Sequence, residues 1–155
     1  EAVPDDRLAH LIRDVARAQM RALQQRLSAH DVSFGHWTFL RILWIKDGQT
    51  QRELSELAGV MEPTTFAAVK AMEAMGLIER RQLPGNRKNI HIFLTPAGRR
   101  LEKLLVPLAE EVNRVSVAGI PEKSIATVRK CLLAMIENLA AEEAAAGEAG
   151  GTQIE

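Results

Sequence analysis

The stretch TQRELSELAGVMEPTTFAAVKAMEAMGLIERRQLPGNRKNIHIFLT, residues Thr50–Thr95, decides the fold. Thr50 and Glu53 make the S/T-x-x-E pattern of a capping box, so a short helix is predicted from Gln51, with Leu54, Leu57 and Ala58 facing inward. Gly59 supplies a tight turn, and a second helix is predicted from Glu62 to about Met75. Pro63 suits its first turn, where the missing N–H has no helical partner to lose. On this helix Val69 and Met72 read as core contacts with Thr65 beside them, while Glu62, Thr64, Phe66, Ala67 and Lys70 lie towards the other side. Gly76 stands where a left-handed residue ends a helix. LIERRQL, the turn PGN and NIHIFL then read as a β-hairpin, because Ile90, Ile92 and Leu94 alternate with His91 and Phe93. Its basic tip carries Arg87 and Lys88. A capped short helix, a glycine turn, a second helix and a hairpin, in that order, are the layout of a winged helix-turn-helix.

N-terminal to this stretch, an amphipathic helix is predicted from Asp5 to about Ala29. Leu8, Leu11, Ile12, Val15 and Leu23 form its apolar face, and Arg13, Arg17 and Arg21 lie opposite. That arginine stripe is either a solvated face or a grip for an acidic ligand or DNA. Ser33 caps a second helix, FGHWTFLRILWIK, which holds both tryptophans. Thr95 and Pro96 pair as N-cap and first residue of a fifth helix, whose apolar face is Leu101, Leu104, Leu105, Leu108, Val112 and Val115. Pro107 lies inside it, and a kink is predicted there because proline removes a donor and crowds the preceding turn. Pro121 opens a sixth helix with Ile125, Val128, Leu132, Met135, Ile136 and Leu139 apolar. After Ala144 the tail carries neither pattern nor bulk, so disorder is predicted over 144–155.

A chain of 155 residues with 46% hydrophobic residues can bury one ordinary core. Aromatics are only 4% and tyrosine is absent, so the core is expected to come from packed Leu, Ala and Met side chains on helices. The formal net charge is zero, yet its distribution is uneven. Six basic and no acidic residues lie between Arg80 and Arg100, which gives a neutral protein one basic surface. The single cysteine excludes an intramolecular disulfide. No apolar run approaches the eighteen or so residues that span a bilayer, and no signal-peptide pattern opens the chain. A cytoplasmic location, associated with the nucleoid through DNA, is therefore expected. His10, His30, His36 and His91 lack metal-ligand spacing, and neither a phosphate loop nor a nucleophile elbow is present, so no cofactor, metal or catalytic activity is expected.

The run EPTTFAAVKAMEAMGLIERR (Glu62–Arg81), followed by NRK (Asn86–Lys88) and LTPAG (Leu94–Gly98), resembles the MarR (multiple antibiotic resistance regulator) family of bacterial transcription factors. The resemblance spans Asp5 to Glu143. It implies a mainly α (α+β) fold with six helices and a two-stranded wing in one domain, 5–143. Within it, 33–95 would be the DNA-binding lobe, and 5–30 and 96–143 the dimerisation helices. The wing has Asn86, Arg87 and Lys88 where the family has Asp-Arg-Arg or Asp-Arg-Lys.

The apolar faces of the N-terminal helix and the two C-terminal helices exceed what the winged module can cover, so a twofold homodimer is expected, the alternative being a monomer in which the three helices bury one another. Members of the family are homodimers, and the expected function is a ligand-responsive repressor of a pseudo-palindromic double-stranded DNA operator. Thr50 and Gln51, the recognition-helix residues Glu62, Pro63, Thr64, Ala67 and Lys70, and the wing residues Asn86, Arg87 and Lys88 would face the DNA. Thr64 and Lys70 reach towards the major groove and Arg87 towards a narrow minor groove. The family often binds small aromatic or phenolic acids, for which Arg17, His36, Trp37 and Arg41 are the candidate ligand-binding residues; Trp37 and His36 also read as ordinary core and surface positions. Cys131, in the final helix, reads as buried core rather than as the redox switch of the family's peroxide-sensing branch. A winged-helix protein-interaction module without specific DNA binding is the competing reading.

Overall fold

The computed structural model describes residues 7–150, with backbone alone at Arg87 and at 148–150. The order is α1 (Leu8–Leu27), a 3-10 turn (Ser28–His30), α2 (Phe34–Ile45), β1 (Gln49–Thr50), α3 (Gln51–Ala58), α4 (Glu62–Ala74), β2 (Ile78–Leu83), β3 (Asn86–Leu94), α5 (Pro96–Ser116) and α6 (Glu122–Gly150). The six helices stand as read from the sequence. The wing, however, is a three-stranded antiparallel sheet in the order β1-β3-β2, not a two-stranded one. β1 pairs Gln49 with Ile92 and Thr50 with His91. Two residues are too few to show a period of two, so the strand exists only through its partner.

Within the single chain, the division into compact units falls at Ser116/Val117, with α5 in the same unit as the winged lobe. Gly98, Leu105 and Val112 of α5 are buried within the first unit. Its core is one cluster: Leu27 of α1, Leu40 and Leu43 of α2, Leu54 of α3, Val69 and Met72 of α4, Ile78 and Ile92 of the sheet and Leu105 of α5 are all essentially inaccessible. Edge-to-face packing of Trp37 on Trp44, with ring centroids 5.6 Å apart, adds to it. α5 remains helical through Pro107.

Local chemistry explains the helix ends. Ser33 accepts a hydrogen bond from the His36 N–H at 3.1 Å and so caps α2. At α3, Thr50 Oγ1 accepts from the Glu53 N–H (3.1 Å), and the Thr50 N–H donates to Glu53 Oε2 (2.9 Å), a complete capping box. Gly59 and Gly76 take φ of 66° and 72°, which side-chain-bearing residues rarely adopt.

α6, taken by itself, extends through Gly150, beyond the Ala144 boundary where a disordered tail was expected. Alanine and glutamate, which make up most of 137–146, are strong helix formers and need no apolar stripe to continue a helix. Residues 151–155 of that expectation lie outside the described residues, as do Asp5 and Asp6 at the predicted start of α1. Val128, Leu132, Ile136 and Leu139 form an exposed apolar stripe on α6. Cys131 beside it is exposed, contrary to the expectation of a buried core thiol. Among the described residues no helix is long and apolar enough to cross a membrane.

Candidate nucleic-acid interface

The angle between α3 and α4 is held by a buried polar contact. Ser55 and Thr65, both buried, hydrogen-bond through their hydroxyls at 2.7 Å, and Ser55 Oγ also donates to the Gln51 carbonyl at 2.9 Å. Ser55 thereby takes the inward position expected of Leu57, which is 61% exposed instead. Helical spacing alone allows either assignment; the partner hydroxyl on α4 makes a buried serine tolerable, because its polar atoms are satisfied.

With Thr65, Val69 and Met72 turned into the core, α4 presents Glu62, Pro63, Thr64, Phe66, Ala67 and Lys70 to solvent. Its first turn carries no side-chain cap, but Pro63 has no N–H and the Thr64 and Thr65 N–H groups donate to the Met61 carbonyl at 3.0 and 3.3 Å, so of that turn the Glu62 N–H alone is left without a helical partner. Thr50 and Gln51, at the start of α3, are half-buried, and Thr50 is partly committed to its cap.

The wing is anchored to this helix. Arg80 of β2 forms an ion pair with Glu73 of α4. Arg81 pairs with Glu79 at 2.7 Å and lies over the Phe93 ring at 4.1 Å. Arg99 pairs with Asp47 at 2.5 Å, and the other Asp47 oxygen accepts the Leu94 N–H at 2.9 Å. Three of the six cations that marked the basic segment are therefore neutralised locally. Among the described residues Lys88 and Arg100 carry no ion pair, and the side chain of Arg87 lies outside them. At the tip, Leu83 pairs with Asn86 across Pro84–Gly85, and the register slips between Gln82 and Leu83, so residues 87–89 bulge from the ladder. Asn86 Oδ1 accepts the Asn89 N–H at 3.3 Å, so an amide braces the bulge at the position where the family has a carboxylate.

A second feature is a cavity of about 570 Å³ between α1, α2 and α5. It is lined by Met20 and Leu23, by Phe34, Trp37, Thr38 and Arg41, and by Val106, Glu110 and Asn113 among others. Of the four candidate ligand residues, Trp37 and Arg41 line it, whereas Arg17 and His36 do not. Arg17 is exposed on α1 away from the lining. His36 is half-buried, its Nδ1 has no hydrogen-bond partner, and burial lowers its pKa below the usual imidazole value. The lining residues Met20, Thr38 and Asn113 carry no motif; three helices converge on them, a relation that helical spacing within one segment does not encode.

The geometry matches known proteins. The MarR family model matches residues 32–90. The solved transcriptional regulator PA3341 is 30% identical, with 86% of this chain and 98% of that chain covered and a TM-score of 0.78. A MarR family regulator from Listeria monocytogenes, solved in complex with a 26mer DNA, is 26% identical over 88% of this chain and 91% of its own, with a TM-score of 0.80. BpsR of Bordetella bronchiseptica, whose DNA binding is regulated by 6-hydroxynicotinic acid, shares the fold at 19% identity, covering 84% of this chain and 98% of that one with a TM-score of 0.76. On the family match, the 30% identity to PA3341 and the shared fold, the chain belongs to the MarR family of DNA-binding transcriptional regulators, not of enzymes.

Proposed function

We propose that the protein is a homodimeric, ligand-responsive repressor that binds a pseudo-palindromic operator and is released by a small aromatic acid. The observation that carries the reading is the orientation of α4: its inward face is locked by Thr65, Val69 and Met72, so its opposite face is offered to a groove. Thr64 and Lys70 meet the major groove, while Glu62, Pro63 and Ala67 lie against it and Thr50 and Gln51 meet the flanking phosphates. The braced wing carries Asn86, Arg87 and Lys88 to the adjacent minor groove, where a narrow groove concentrates negative potential. The DNA complex of the Listeria relative supports this arrangement.

Dimerisation is supported by the apolar residues left in water. Leu8, Leu11, Ile12 and Val15 of α1 and, separately, the stripe on α6 are each exposed in the single chain, and apolar helix faces of this kind are stable when a second copy covers them. Two recognition helices then enter successive major grooves, about 34 Å apart along the duplex.

For the effector, the cavity offers a Trp37 and Phe34 wall for an aromatic ring and the Arg41 guanidinium for a carboxylate, while Glu110 at the rim disfavours a second negative charge. Binding that favours one lobe spacing shifts the dimer away from its DNA-competent form.

Duplexes selected from a random-sequence pool test the DNA reading by fluorescence anisotropy over a salt series. Expected is tight binding that weakens steeply with salt, since phosphate contacts release counterions; selection of no duplex refutes it. Thermal shift with hydroxybenzoates and hydroxypyridine carboxylates tests the effector: a raised Tm and weakened DNA binding, both lost in Arg41→Ala, are expected. No shift with any of them refutes the effector and leaves the DNA reading standing.

A further inference from the structure

The outward face of α4 is poor in hydrogen-bonding side chains. The period of 3.6 residues sets Pro63, Ala67, Lys70 and Ala74 opposite the buried stripe, with Phe66 on one flank and Thr64 and Ala71 on the other. All seven are exposed, and only Thr64 and Lys70 have polar side chains. Phe66 leaves 48% of its surface in water without a neighbouring ring to stack on. The bidentate pairs that recognise adenine need Asn or Gln, and none stands on this face. What the major groove offers to a phenyl ring and a methyl group is the C5-methyl of thymine.

We propose that Phe66, together with Ala67, reads thymine by apolar contact with its C5-methyl group, so that half-site specificity rests on methyl burial more than on hydrogen bonds. The proposal deepens the major-groove reading of α4 and rests on it. Charge complementarity favours DNA as the occupant of this apolar patch over a protein. Lys70 shares the face, Lys88 and Arg87 lie on the wing pinned to the same helix, and of the two α4 acids on the Phe66 flank, Glu73 is neutralised by Arg80, which leaves Glu62 against these cations. A polyanion with methyl groups on its groove floor satisfies both features.

The test uses the full chain and the duplexes it selects from a random pool, with each thymine of the half-site replaced in turn by deoxyuridine. That change deletes the methyl and keeps every hydrogen-bonding group. Expected is a loss of about fourfold in affinity for each methyl that is buried, at one or two positions. Phe66→Ala should bind the thymine duplex more weakly and no longer distinguish thymine from uracil there, whereas Phe66→Leu should retain part of the discrimination. Because Phe66 faces solvent, Phe66→Ala should melt like the wild type by circular dichroism. Affinity unchanged by uracil at every position, with the protein still binding its duplexes, overturns the methyl proposal and leaves the DNA reading intact. The same holds if Phe66→Ala weakens thymine and uracil duplexes equally. Failure to select any duplex overturns the DNA reading itself.

Discussion

Replacing Gly98 by alanine sets two effects of opposite sign against each other. Gly98 lies in the first turn of α5, where alanine is favoured over glycine by about 1 kcal/mol on helix propensity. A Cβ at this position, however, would stand 2.1 Å from the Leu77 carbonyl oxygen, 3.1 Å from its carbon and 3.2 Å from Leu94 Cδ2. The obstacle is backbone and cannot rotate away; the same carbonyl accepts the Thr95 N–H at 3.0 Å. To reach the shortest contact that real side chains show, α5 must retreat from Leu77, the residue before β2, by about 1 Å in a close-packed interior. Such overpacking costs about 1–3 kcal/mol. The retreat also stretches the bond from Trp44 Nε1 to the Gly98 carbonyl, 2.9 Å, which is worth about 1 kcal/mol. Sterics win, and Gly98→Ala should destabilise by about 2 kcal/mol, a fall in Tm of roughly 4–8 °C. Urea and thermal unfolding at one fixed chain concentration measure this, since association alters apparent stability. Gly147→Ala is the control: nothing lies within 4 Å of its Cβ, so the propensity gain alone should appear there. Equal or higher stability of Gly98→Ala would refute the close approach of α5 to the wing root.

Other perturbations address the interface. Thr65→Val keeps the shape of the buried side chain but removes the hydroxyl that meets Ser55, and should lower stability by about 1 kcal/mol in urea titrations; an unchanged midpoint would show that the pair does not hold α3 against α4. Lys88→Ala and Arg87→Ala should each weaken operator binding and flatten the log–log salt slope by about one, and an unchanged slope for both removes the wing from the interface. Burial holds the His36 pKa below the ordinary value near 6.5, so the unfolded chain takes up a proton there before the folded one does. His36 thus contributes no pH dependence well above pH 6.5, lowers stability as the pH falls below it, and levels off below the folded pKa. The difference in urea midpoint between wild type and His36→Gln, followed from about pH 7.5 to about pH 5, should change in that direction, and a constant difference would contradict it.

Much of the lobe is legible in the sequence because its signals are short-range. In LTPAG, Leu94 is buried, Thr95 Oγ1 accepts the Gly98 N–H at 3.1 Å and donates to the Gly76 carbonyl at 2.6 Å, and Gly98 admits the Leu77 carbonyl. The motif is therefore a joint between α4, the wing and α5 written in five residues. The features that differ from expectation have a common cause. β1 leaves no sequence signal because Gln49 and Thr50 are strand only by pairing with β3. Ser55 and Leu57 exchange their expected places because burial of a serine depends on Thr65, ten residues away. Residue type groups Arg17 and His36 with Trp37 and Arg41, whereas the cavity selects by position. The basic segment loses half its apparent charge to Glu73, Glu79 and Asp47.

By itself the sequence determined where each helix begins and ends within the lobe, which face of α4 is buried, and that a basic hairpin follows it. Caps, left-handed glycines and apolar periodicity act within about four residues, and their energetics are the same wherever the segment sits. Only the tertiary structure decided which cations remain free, which residues line the cavity and which glycine admits no side chain. Those outcomes depend on groups brought together from up to 97 residues apart, as with Gln19 of α1 and Ser116 of α5, and packing rather than local propensity sets their distance.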